Sequence, residues 1–176
     1  SLHCYQNQIT SLNLNGLNNL AVLYCNENQL TSLDFSGLTS LMVLSCYSNQ
    51  ISSLTISGLN NLQVLYCGSN NLTSLTLSGL PNLALLHCSE GQLTSLNLNG
   101  LTHLQNLYCS LNQLVSLDAN QLTSIENIDC NNNQLTSLFI KNGRNENITF
   151  NNNPNLQFIC VDEDQLATIQ NQVSLN

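Results

Sequence analysis

The sequence predicts a β-rich solenoid, a stack of about eight like coils with short parallel strands on two opposite walls. Three observations lead there. Cysteine recurs every twenty-one residues, at Cys4, Cys25, Cys46, Cys67, Cys88, Cys109 and Cys130, so one unit is copied end to end. Apolar residues keep fixed places in each copy; in the first full one they are Leu20, Leu23, Cys25, Leu30, Leu33, Phe35 and Leu38. Each half of the copy also alternates with period two, as a half-buried strand does.

Taken in order, Leu23-Tyr24-Cys25 gives the first-wall strand, with Leu and Cys inward and Tyr outward. Leu33-Asp34-Phe35 gives the strand of the second wall by the same alternation. Later copies begin at Leu41, Leu62, Leu83, Leu104 and Ile125. Residues 1–19 match the tail of an earlier copy. Ile148, Phe150 and Asn153 mark a degraded eighth copy that slips by a residue or two before Ile159 and Val161. With strands spaced by roughly 4.8 Å on both walls, the stack has little reason to bend, and a nearly straight prism is expected.

The turns have their own signature. Asn7, Asn28, Asn49, Asn70, Asn112 and Asn133 stand where the chain leaves the first strand. An amide there can donate and accept between rungs, which makes these asparagines structural. Gly91 interrupts the ladder and is expected to leave one turn unsupported or water-filled. Gly16, Gly37, Gly58, Gly79 and Gly100 mark a tight corner that needs positive φ.

At the carboxyl end, Asp162-Glu163-Asp164 can start a helix, and Leu166, Ile169 and Val173 recur at helical spacing to cover the last rung. The expected layout is a solenoid over 1–161 and a cap over 162–176. The chain opens in mid-repeat, so an amino-terminal truncation is expected. An uncapped first rung would favour end-to-end self-association through its open strand edge.

The text LxxLxCxxNxLxxLxL, with Leu23-Tyr24-Cys25-Asn26-Glu27-Asn28 as its best-defined segment, resembles a leucine-rich repeat. It is similar to the nested 21-residue class, sometimes called IRREKO, in which two half-repeats each carry an LxxLxL pattern. The ending from Asn152-Asn153-Pro154 to Ile159-Cys160-Val161-Asp162 resembles the closing segment of such repeats in secreted Bacteroidetes proteins. That resemblance implies an extracellular or cell-surface setting.

Composition narrows the function. Of 176 residues only 7% are charged, the net charge is −8, and residues 1–140 contain neither Lys nor Arg. A nucleic-acid partner is therefore excluded, since neutralising phosphates takes a basic stripe. No apolar run approaches the ~20 residues of a membrane-spanning helix, and no signal-peptide pattern is present.

Chemistry is equally sparse. The cysteines point inward, where a thiol behaves as a small hydrophobe; disulfides between rungs or a zinc site are the weaker readings. His3 and His87 share a column but stand four rungs apart, too far to hold one ion. Asp162, Glu163 and Asp164 suit a helix start better than calcium. No nucleophile has a histidine partner at repeat-adjacent spacing, so no enzyme and no cofactor is expected.

One asymmetry remains. Outward positions of the first wall carry Val22, Tyr24, Val43, Val64, Tyr66, Leu85, His87 and Tyr108, with Tyr47 just after its strand. The opposite wall carries mostly Ser, Thr, Asn and Asp. Amphipathic side chains gathered on one wall suit a protein partner, so these nine residues are the expected binding face. A carbohydrate-binding module on the same tyrosines and a purely structural spacer are the rivals. Ice binding through the Ser/Thr wall is more distant, because an exposed Phe139 and mixed charge spoil its uniformity.

Overall fold

Leu23, Leu44, Leu65, Leu86, Leu107 and Ile128 project inward from successive strands and are buried, which sets the axis of the molecule. The computed structural model describes the backbone of residues 1–175 and the side chains of residues 1–171. The inward residues belong to one continuous parallel sheet of eight strands. In stacking order these are β1 (Leu2–His3), β2 (Val22–Tyr24), β3 (Val43–Ser45), β5 (Val64–Tyr66), β7 (Leu85–His87), β8 (Asn106–Tyr108), β10 (Asn127–Asp129) and β12 (Asn147–Thr149).

Register is fixed by the repeat. Val22, Val43 and Val64 pair across β2, β3 and β5, and Leu85 follows in β7. From β10 to β12 the step shortens, Ile128 pairing with Ile148, while Leu138 still pairs with Ile159 across the second wall. The slip read from the sequence is thus one residue, absorbed between Asn153 and Phe158. The fold is a parallel-stranded solenoid of about eight turns with a short carboxyl-terminal helix.

The second wall is less regular than its sequence. It pairs in two patches: β4 (Ser53–Thr55) with β6 (Ser74–Thr76), and β9 (Ser116–Asp118) with β11 (Ser137–Phe139) and β13 (Phe158–Cys160). Leu33-Asp34-Phe35, expected to be a strand, forms none. First-wall hydrogen bonds already hold the coils in register, so the second wall is free to open where its packing demands. Phe35 is bulkier than the Ile56 or Leu77 that follow it in the interior. A groove of about 550 Å³ opens there, lined by Leu33, Phe35, Thr55 and Leu59 among others. Leu33 and Leu96, both on unpaired rungs, are only partly buried.

Asparagine ladders make the turns. The Asn49 amide donates to the carbonyls of Cys25, Cys46 and Tyr47 at 3.1, 3.0 and 3.3 Å, and its Oδ1 accepts from the Leu30 N–H at 2.9 Å. One side chain therefore bridges two rungs. Asn28, Asn70, Asn112, Asn133 and Asn153 repeat the arrangement. The residue before each ladder position is left-handed although none is glycine, for instance Glu27 at φ 55° and Leu111 at φ 56°. The amide satisfies the groups that this conformation turns inward.

The carboxyl end differs from expectation in two respects. Helix α1 (Leu166–Leu175) starts after Asp162-Glu163-Asp164, which form a turn before it. Leu166, expected to cover the last rung, is 46% exposed, while Gln165 and Ile169 are the buried contacts. Burying the turn's Gln165 against Glu146 rotates the helix so that Leu166 faces out. Val173 lies outside the described side chains.

Candidate functional site

The first wall owes its character to strand alternation. Leu and Cys of each rung go to the interior, so the residues between them form columns on the outer surface. Val22, Val43, Val64 and Leu85 make one column, all half-buried. It turns polar further on, where Asn127 donates to Asn106 at 2.8 Å and Asn147 to Asn127 at 3.2 Å.

The second column reads His3, Tyr24, Ser45, Tyr66, His87, Tyr108 and Asp129 in paired register. Its rings touch. His3 meets Tyr24 edge-on with centroids 5.0 Å apart, and His87 lies 6.0 Å from Tyr66 and 5.8 Å from Tyr108. Gly68 makes room for His87: a Cβ there would stand 2.8 Å from the imidazole Nδ1 and 2.6 Å from the Ser89 carbonyl. Tyr24, Tyr66, His87 and Tyr108 are half-buried, and Tyr5 beyond the first strand is 46% exposed.

Ser45 is the exception in that column. It carries no ring, is 3% exposed, and lies at the base of a shallow groove of about 420 Å³ bordered by Tyr5, Tyr24, Tyr47 and Tyr66. Glu27 and Gln6 complete the rim. The Glu27 carboxylate accepts the Tyr47 hydroxyl at 2.8 Å, the Gln6 amide at 3.1 Å and the Asn26 amide at 3.3 Å. These bonds, Tyr47's first, hold its carboxyl below the usual range, and the same bond raises the Tyr47 phenol. The groove therefore carries a fixed negative charge among four phenol rings.

The nine residues read from the sequence thus fall on one face, with Tyr47 displaced to the groove's edge. Sequence reading missed Ser45, Asn26, Glu27 and Gln6. The signal was present as a small residue between two tyrosines in one column.

Cys25, Cys46, Cys67, Cys88, Cys109 and Cys130 form a buried column behind this face, with Cys4 half-buried at its end. All eight thiols are free. Burial, first among the causes, pushes Cys25, Cys88 and Cys130 up to about 12, so they serve as packing. Cys160 is off the ladder, pairing with Phe139 on the second wall. Among the described residues no group of three or more His, Cys, Asp or Glu gathers to hold a metal. No described helix is long and apolar enough to cross a membrane.

Solved structures place this geometry. The functional domain of InlJ from Listeria monocytogenes, which includes a cysteine ladder, matches over 92% of this chain at 29% identity and a TM-score of 0.76. The chain is a parallel-stranded repeat solenoid similar to bacterial internalins. The internalin InlF of Listeria monocytogenes matches 81% of the solenoid at 25% identity and TM-score 0.62. A leucine-rich-repeat protein of Leptospira interrogans matches 97% of it at 22% identity and TM-score 0.60, a likeness of fold. The solenoid spans 34%, 48% and 57% of those three chains. No protein-family profile and no curated protein matches the sequence.

The repeat solenoid has no catalytic constellation among its described residues. What it offers chemically is a surface.

Proposed function

We propose that the solenoid is a non-enzymatic recognition or adhesion module that binds a protein partner through Val22, Tyr24, Val43, Tyr47, Val64, Tyr66, Leu85, His87 and Tyr108. The observation that carries the reading is the long column of rings and aliphatic groups on the wall whose sheet is unbroken, against a shorter pair, Phe139 and Phe158, at the carboxyl end of the broken wall. A continuous ladder holds these side chains on a rigid frame, which lowers the entropy lost on binding. Tyrosine and histidine present large amphipathic surfaces with few rotatable bonds, the kind that dominates interface energetics. Likeness to internalins supports an extracellular or cell-surface location. The two half-repeats, each carrying an LxxLxL-like pattern, support assignment to the nested 21-residue class.

A protein is favoured over a glycan because the rings are inclined to one another. Interplanar angles of 79°, 41° and 39° along the column leave no flat platform for a chain of sugars. The test is the triple substitution Tyr24→Ser, Tyr66→Ser and Tyr108→Ser, compared with the unaltered solenoid on arrays of extracellular proteins and of glycans. Specific protein binding by the parent, lost in a variant that still folds, is expected. Protein binding that survives all three changes overturns the assignment, and a glycan hit lost in Tyr66→Ser promotes the carbohydrate reading.

A further inference from the structure

We infer that the gap above Ser45 is a slot for an arginine side chain of the partner. This rests on the recognition reading above and names the chemistry of its central contact. The column of outward rings shows what the position normally holds. His87 lies between Tyr66 and Tyr108, with centroids 6.0 and 5.8 Å away, so one planar group fits between tyrosines two rungs apart. Tyr24 and Tyr66 are likewise two rungs apart, about 9.6 Å at strand spacing, but Ser45 between them supplies no ring. The column is interrupted there, and the groove lies over the interruption.

Charge selects the guest. Glu27 is the one acidic side chain on the rim, and neither Lys nor Arg occurs in residues 1–140 to answer it. A carboxylate offers about four acceptor positions, and Tyr47, Gln6 and Asn26 take three of them. One acceptor position remains, to be met by a donor from outside. Guanidinium satisfies both demands, since it is planar enough to stack between phenol rings and carries N–H groups for a carboxylate. An ammonium has the charge without the plane. A neutral aromatic ring has the plane but leaves Glu27 without a counter-charge. The chain's net charge of −8 favours the approach of a basic segment.

The experiment is a titration of isotope-labelled solenoid with the capped tripeptides Gly-Arg-Gly, Gly-Lys-Gly and Gly-Tyr-Gly, followed by NMR. Saturable shifts are expected for the arginine peptide, centred on Glu27, Ser45 and Tyr66. The lysine peptide is expected to bind about tenfold more weakly, because it cannot stack or bridge in a plane. Ser45→Tyr fills the slot and Glu27→Gln removes the charge; each should weaken arginine binding about tenfold. Ser45 is buried and its hydroxyl donates to the Asn26 Oδ1 at 3.3 Å, so Ser45→Tyr has to displace that contact; Glu27→Gln keeps the side-chain volume and carries the test alone if Ser45→Tyr does not fold. Equal binding of the arginine and lysine peptides, preference for the tyrosine peptide, or indifference to both substitutions overturns the slot. Partner binding lost in the triple tyrosine variant but kept in Ser45→Tyr and Glu27→Gln would sink the slot and leave the recognition face standing.

Discussion

At the scale of single residues, the asparagine ladder does more for the solenoid than its polar character suggests. Each amide replaces water at four backbone groups in a turn closed on both sides by neighbouring coils. Removing it leaves those groups buried and unpaired, which costs about 1–3 kcal/mol for each group that cannot reach solvent. Asn49→Ala should therefore lower stability by about 2–4 kcal/mol, measured as a shift in the denaturant midpoint. A loss under roughly 0.5 kcal/mol, the size of an ordinary surface change, would show that water serves the turn as well as the amide. Gly91 is the natural comparison. The Leu30 and Leu93 N–H groups bond to amides of the next rung, whereas the Leu72 N–H faces a glycine and has no such acceptor. The left-handed residues beside the ladder could not be read from sequence, because Gln, Glu, Ser, Leu and Asn all occupy that place. Glu90 keeps the conformation at φ 61° beside Gly91, where the backbone bonds to Ser110 and Leu111 of the next rung persist without an amide, so stacking of the coils is the cause and it has no local signature.

At the scale of elements, the junction between the last rungs and α1 depends on protonation. Glu146 is buried and accepts from Gln165 at 3.0 Å and from Asn142 at 3.3 Å. Burial, the largest cause, raises its carboxyl above the ordinary 4.5. A carboxyl raised in the folded state binds its proton more tightly there than in the unfolded chain. Stability should therefore be greatest below the unfolded value and fall as pH rises through the folded one. Melting of the carboxyl-terminal end, followed by the α1 circular-dichroism signal, should occur at higher temperature at pH 4.5 than at pH 7. Glu146→Gln should remove most of that difference. A melting temperature that rises with pH across this window would contradict the placement of Glu146. The acidic run Asp162-Glu163-Asp164 pointed correctly to a helix nearby. It did not reveal that Gln165, rather than Leu166, would be the residue turned inward.

At the scale of the whole molecule, the two walls share a repeat but not a mechanical role. The first wall's ladder is continuous from β1 to β12, and the second wall's is broken. Ile56, Ala119 and Ile140 donate to Thr76, Phe139 and Cys160 of the next rung. At the same repeat position, Phe35, Leu77 and Leu98 lack this bond among the described residues. Amide hydrogen exchange should therefore be about tenfold or more faster at Phe35, Leu77 and Leu98. Equal protection along the second wall would mean that it pairs throughout. A continuous first wall backed by a broken second one suits the proposed recognition face, whose geometry must hold on binding. Sequence alternation alone implied a strand on both walls at every rung.

The sequence by itself determined the number of coils, which side chains enter the core, and the columns in which outward residues must lie. A twenty-one-residue period leaves the chain little choice once coils stack in register, because one step out of phase would turn leucines to water. Tertiary structure alone decided where the second wall opens, how α1 is rotated and which outward positions combine into a groove. Those outcomes depend on contacts between neighbouring rungs of the second wall, the burial of Glu146 with Gln165, and the absence of a ring at Ser45 between two tyrosines. Each is a property of neighbours brought together from different coils, and no single repeat contains it.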